Sequence, residues 1–183
     1  MKRKLLILSV LAICIATLAA GTLAYFTSEG KAHNVITTGG VEIAVQEWAD
    51  VEKTKPFEDM TGVMPGMTVT KIAEIKNTGA SDAWVRVKVE KNIKLQGEGT
   101  PDTGLVELTR SSNHWTEKDG YYYYTKVLKP GEVTAPIFTA VTFNADMGNE
   151  YQNATATVDV FAQAVQTANN GATVMDAQGW SKA

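Results

Sequence analysis

Between Val85 and Glu90 valines alternate with charges, so that Val85, Val87 and Val89 take one side and Arg86, Lys88 and Glu90 the other. That period of two marks a strand with one face in a core and one in water. Ile137, Thr139, Val141 and Phe143 form a second alternating set, and Val158, Val160, Ala162 and Ala164 a third, each long enough to cross a β-sandwich. Val41-Glu42-Ile43-Ala44-Val45 is a fourth. Tyr121 to Leu128 opens with four aromatics in succession, which places rings on both faces. Such a strand needs the core on one side and a loop or neighbour on the other.

Punctuation supports the same class. Thr68 to Lys76 runs into the turn cluster Asn77-Thr78-Gly79-Ala80-Ser81-Asp82 and then into the valine strand, predicting a hairpin or a sandwich corner. Pro65-Gly66 and Pro130-Gly131 each precede a Thr-containing strand, and Pro setting φ with Gly supplying φ > 0 is the pairing a type II turn needs. The echo between Pro-Gly-Met-Thr-Val-Thr and Pro-Gly-Glu-Val-Thr-Ala suits two halves of a sandwich. No sustained 3.6-residue apolar rhythm follows the N-terminal run. Helices are therefore expected to be short and confined to connections, with Leu105 to Leu108 the place for one, and Gly97 to Gly104 reads as an exposed loop.

The N-terminus differs from the rest. Lys2, Arg3 and Lys4 stand ahead of an apolar run from Leu5 to Ala20, followed by small residues, which describes a secretory signal peptide better than a spanning helix. Small residues at the −3 and −1 positions fit Thr22-Leu23-Ala24, with cleavage before Tyr25, and the earlier Thr17-Leu18-Ala19 also satisfies a peptidase that reads size alone. With the later cut, the chain of 183 residues becomes one of 159, carrying 14 cations against 20 anions. A formal charge of −6 directs it away from nucleic acid and anionic lipid. The single cysteine, Cys14, leaves with the leader, so the exported product has no disulfide, thiolate nucleophile or Cys-ligated metal. Its stability must come from packing and backbone ladders, which suits a Gram-positive surface.

Catalytic signatures are sparse. His33 and His114 show no His-Glu-x-x-His spacing, and the pairs Glu58-Asp59 and Glu117 with Asp119 lack the alternating oxygen ligands of a calcium loop. Gly-x-Ser-x-Gly and phosphate-loop motifs are absent. No catalytic residue, cofactor or metal is assigned. Asn153-Ala154-Thr155 matches the N-glycosylation pattern at the start of a predicted strand, where a chance match is the simpler reading. The tail from Thr167 to Ala183 reads as small and polar, without a wall-sorting signal, and the leader has no lipobox cysteine at the cut. The mature chain is expected to be released or held by self-association.

Three segments in order carry a resemblance: Gly21-Thr22-Leu23-Ala24-Tyr25-Phe26-Thr27, then Thr38-Gly39-Gly40-Val41-Glu42-Ile43, then Met64-Pro65-Gly66-Met67-Thr68 running into Ile75-Lys76-Asn77-Thr78-Gly79. This series resembles the TasA/camelysin family, most closely over residues 18 to 90. The resemblance implies cleavage after Ala24 by a SipW-type signal peptidase and a jelly-roll-like antiparallel β-sandwich. It also implies assembly into extracellular biofilm-matrix fibres, each subunit donating its new N-terminal strand to the next. The organisation is then a leader at 1–24, a donor strand or flexible arm at 25–34 and one domain at 35–183. Homopolymer contacts, the peptidase and other matrix proteins are the expected partners.

Strand donation also has a physical basis. Cleavage frees a segment beginning Tyr25-Phe26-Thr27-Ser28 and continuing through Ala32, with two aromatics at its tip. Main-chain hydrogen bonds are worth about 0.5–1.5 kcal/mol each and burial of a ring such as Phe26 about 1.5–3 kcal/mol, so about six such bonds and two rings together exceed an association cost of about 4 kcal/mol or more. Glu29, Gly30 and Lys31 interrupt its alternation, and a leader without structure or an edge strand of its own domain is the competing reading. Two other functions compete: a surface adhesin or carbohydrate-binding sandwich with Trp48, Trp84, Trp115 and Tyr121 to Tyr124 as a stacking platform, and a camelysin-type metallo-endopeptidase using His33 or His114. Aromatics on strands are more often core. Alternation sets Trp84 on the face of Arg86 and Lys88, opposite the valines.

Overall fold

A computed structural model describes residues 35–37, 41–60 and 63–181, the first three by backbone alone. The chain divides into two units, Met1–Ala32 and His33–Ala183, and the first lies outside the described residues. Among the described residues of the second, regular structure is nearly all β: β1 (Val35–Thr37), β2 (Ile43–Trp48), β3 (Thr68–Asn77), β4 (Ala83–Lys94), β5 (Val106–Arg110), β6 (Trp115–Lys118), β7 (Tyr121–Leu128), β8 (Phe138–Phe143) and β9 (Thr155–Gln166). They form a five-stranded sheet in the order β1-β9-β4-β7-β6 and a four-stranded sheet in the order β2-β3-β8-β5. Pairing is antiparallel except between β1 and β9.

The two sheets share one core. Val85, Val87, Val160, Ala162 and Ala164 from the five-stranded sheet meet Ile43, Ala73, Ile75, Phe138 and Val141 from the four-stranded one. The predicted alternation of β4 and β9 thus holds, and β2 lies where its short apolar set suggested. Each fully buried Val, Ile or Phe contributes about 1.5–3 kcal/mol, and with no cysteine after residue 14 this burial carries the fold. The β4–β9 pair is its backbone, in register over all twelve residues from Ala83 opposite Gln166 to Lys94 opposite Thr155.

The turn cluster after Asn77 proves to be a corner, since β3 and β4 belong to different sheets. Fully buried Asn77 fastens it: its Nδ2 donates to the carbonyls of Ser81 (2.8 Å) and Leu128 (2.9 Å), and its Oδ1 accepts from Gly79 N (3.0 Å). Its backbone is held by the second Pro-Gly turn, donating to Glu132 O and accepting from Gly131 N. Both Pro-Gly pairs form the predicted turns, with φ of 82° at Gly66 and 79° at Gly131 and closing bonds from Met67 N to Met64 O and from Glu132 N to Lys129 O.

Three expectations are corrected. Leu105 to Leu108 is helical only at its first residue: one 3-10 turn spans Thr103–Leu105, capped by the Asp102 carboxylate accepting from Gly104 N, and β5 starts at Val106. Val106 is buried in the core and pairs with Phe143, so the reward for extended pairing outweighs local helix formation. The second Pro-Gly turn does not lead straight into a strand. Val133 makes an isolated bridge to Lys76, Pro136 lacks the N–H to continue a ladder, and β8 begins at Phe138. Thr139 does not share an inward face with Val141, because opposite it β3 places Lys71 and Ile72 while β5 places no residue. This irregularity resets the alternation, so Phe138 and Val141 both point into the core.

Candidate functional site

Thr22, Ala24, Tyr25, Phe26, Thr27, Ser28, Ala32 and His33 lie outside the described residues, so the junction and the arm are not placed. What is placed is the chain that follows them. The strand β1 begins at Val35 on the outer flank of β9, with Val35 opposite Ala162 and Thr37 opposite Ala164. Among the described residues, β9 is paired on that flank only at Ala162–Ala164, while β4 pairs with it along its entire length.

The corner beside β2 shows why Gly follows Asn77-Thr78. Thr78 N and Gly79 N both donate to Glu42 O, just ahead of β2, and a Cβ at Gly79 would stand 2.7 Å from Glu42 N. This backbone approach is open only to glycine.

Charged side chains cover the four-stranded sheet. Glu74, 2% exposed, accepts from Trp48 Nε1 (2.9 Å) and from Lys53 Nζ, which belongs to the loop folded back after β2. Lys71 pairs with Glu47 (3.0 Å) and sits 4.4 Å from the Phe57 ring. A buried carboxylate left without such donors would cost several kcal/mol, so these contacts make that loop part of the fold. At its tip the Thr54 hydroxyl and the backbone amides of Lys55 and Thr54 donate to the Asp50 carboxylate, lowering its pKa below the usual value, the hydroxyl having the largest effect.

The aromatic residues do not form a platform. Trp115 lies in the core, its Nε1 donating to Ala135 O, and packs at a tilt against Tyr124. Trp48 is engaged with Glu74. Trp84, on the outer face as alternation predicted, is covered by Val165, Val174 and Ala177, and its Nε1 donates to Asn170 O (3.1 Å). Its cover is the tail, a segment of mainly small and polar residues that also holds the fourth tryptophan, Trp180. Arg86 lies between the rings of Tyr121 (4.1 Å) and Trp180 (4.8 Å), with its Nε donating to Gln163 Oε1 (2.9 Å) and Nη2 to Ser181 O (3.1 Å). Alternation in β7 sends Tyr121 and Tyr123 to this tail and Tyr124 to the core, so the loop expected over the aromatic strand is the C-terminal segment.

His114 sits in a turn at φ 63°, its ring edge-on to Tyr124 at 6.2 Å. Glu117 pairs with Arg110. Among the described residues no group of three or more His, Cys, Asp or Glu side chains is placed to hold a metal ion, and no helix is long and apolar enough to cross a membrane. No protein-family model matches this chain, and no curated protein is significantly similar to it.

Proposed function

We propose that this chain is an exported structural subunit of the TasA/camelysin type, freed by SipW-type cleavage after Ala24 and built as a jelly-roll sandwich. It polymerises into extracellular matrix fibres by strand donation. The observation that carries this reading is the position of β1: the chain that follows the arm joins the fold as the outermost described strand of the five-stranded sheet, on β9. A segment joined to the outermost described strand needs no rearrangement of the core to pair with another molecule's sheet. Donor and acceptor are different surfaces of one chain, so the contact is head-to-tail and propagates as a filament. The peptidase reading gains no support, since His114 lies in a turn against Tyr124 and belongs to no group of three or more potential metal-ligating side chains among the described residues.

Electron microscopy at equal protein concentration tests the proposal with three chains: one beginning at Tyr25, one retaining the leader, and one beginning at Asn34. Filaments are expected from the first alone. Equal polymerisation of the chain that begins at Asn34 would sink strand donation.

A further inference from the structure

We propose that Asn170 is a self-modification site, whose deamidation releases the C-terminal tail from the outer face of the five-stranded sheet. Of the asparagines in the chain, Asn170 alone is followed by glycine, the residue that leaves the next main-chain nitrogen least shielded. The same carboxamide fastens the tail. Its Nδ2 donates to Gln178 O (3.0 Å) and its Oδ1 accepts from Gln178 N (2.8 Å), so one side chain takes the place of a paired peptide group. Asn170 O accepts from Trp84 Nε1 (3.1 Å), which joins this clasp to the covered tryptophan. The fold requires the glycine as well: Gly171 has φ of 72°, and a Cβ there would stand 2.9 Å from Asp176 C and 3.0 Å from Ala177 N. The contacts that hold the tail thus set a readily deamidated Asn-Gly pair at its root.

In the reaction Gly171 N, its proton passed to solvent base, attacks Cγ of Asn170. The new C–N bond closes a succinimide ring, and Nδ2 departs as ammonia after taking a proton from water. Water then opens the ring. Breaking the bond from Gly171 N to Cγ leaves aspartate, whereas breaking the bond from Gly171 N to the main-chain carbonyl carbon leaves isoaspartate, with an extra methylene in the chain. Both products lose the Nδ2 donor, and aspartate sets a carboxylate oxygen against Gln178 O, leaving that carbonyl without its partner. Expelling Nδ2 breaks the clasp, so the seated tail opposes the reaction and conversion proceeds through local opening. Because ammonia is lost, a released tail stays released, baring Trp84 and Val165 and loosening Trp180 from Arg86.

Peptide mapping by mass spectrometry, with isoaspartate detected by enzymatic methyl transfer, tests the proposal on the full chain held at mildly alkaline pH. Conversion is expected several-fold faster at Asn170 than at Asn169, and faster in urea than in buffer. Val174→Ala, which removes methyl groups from the cover over Trp84, should speed it about tenfold in buffer and leave the rate in urea unchanged. Converted molecules, separated by charge, should exchange amide hydrogens over residues 173–181 faster than unconverted ones, while exchange in β4 and β9 is unaltered. Asn170→Asp should reproduce that loss of protection without any incubation. Conversion at Asn170 no faster than at Asn169, equal rates in buffer and urea, or no response to Val174→Ala each overturns the proposal. So does a tail that stays as protected in converted and Asn170→Asp protein as in the unconverted chain.

Discussion

Asn77 and Gly79 show how much of the corner depends on single atoms. The Asn77 side chain satisfies two carbonyls and one amide inside the protein, and each buried group left unpaired costs about 1–3 kcal/mol. At Gly79 the limit is steric, and an added methyl group must displace backbone at Glu42. Gly79→Ala is therefore expected to lower the unfolding free energy by about 1–3 kcal/mol, as overpacking does. Gly97→Ala, where an added Cβ meets nothing within 4 Å, should change it little. Urea denaturation of the two variants checks the contrast, and equal effects would refute the close approach. The spacing Asn77-Thr78-Gly79 was legible as a turn; that its asparagine also clasps the Pro130-Gly131 turn was not, because those carbonyls are distant in sequence.

Among the elements, the C-terminal tail departs furthest from its sequence. Thr167 to Ala183 has no period of two and few large apolar residues, so it reads as solvated. Yet Val174, Ala177 and Trp180 cover Trp84, Val165 and Arg86, and Asn170 fastens the segment to itself, accepting from Gln178 N and donating to Gln178 O. A chain ending at Thr167 should lose several kcal/mol, given about 1.5–3 kcal/mol for each large apolar side chain uncovered. It should also bind a hydrophobic dye through the bared Trp84. A truncated protein with unchanged melting temperature and no dye binding would show the tail to be dispensable. Arg86→Lys tests the same contact more gently, because lysine keeps the charge and loses the planar stacking between Tyr121 and Trp180.

For the molecule as a whole, one core joins the two sheets, so unfolding of the chain from Tyr25 onward should be a single cooperative transition by circular dichroism. Two separated transitions would mean that the sheets fold independently. Since that chain contains no cysteine, a reductant should leave the midpoint where it is.

Strands, turns and the choice of an all-β fold could be read from the chain because they depend on neighbours close in sequence. Side-chain alternation follows from the pleat, and a positive φ calls for glycine at residues 66 and 131 whatever lies beyond the turn. The reset at Thr139, the cover over Trp84 and the burial of Glu74 depend instead on which distant segments lie side by side. Such pairings are selected by burial and hydrogen-bond satisfaction summed over the whole domain, and no local pattern records that sum.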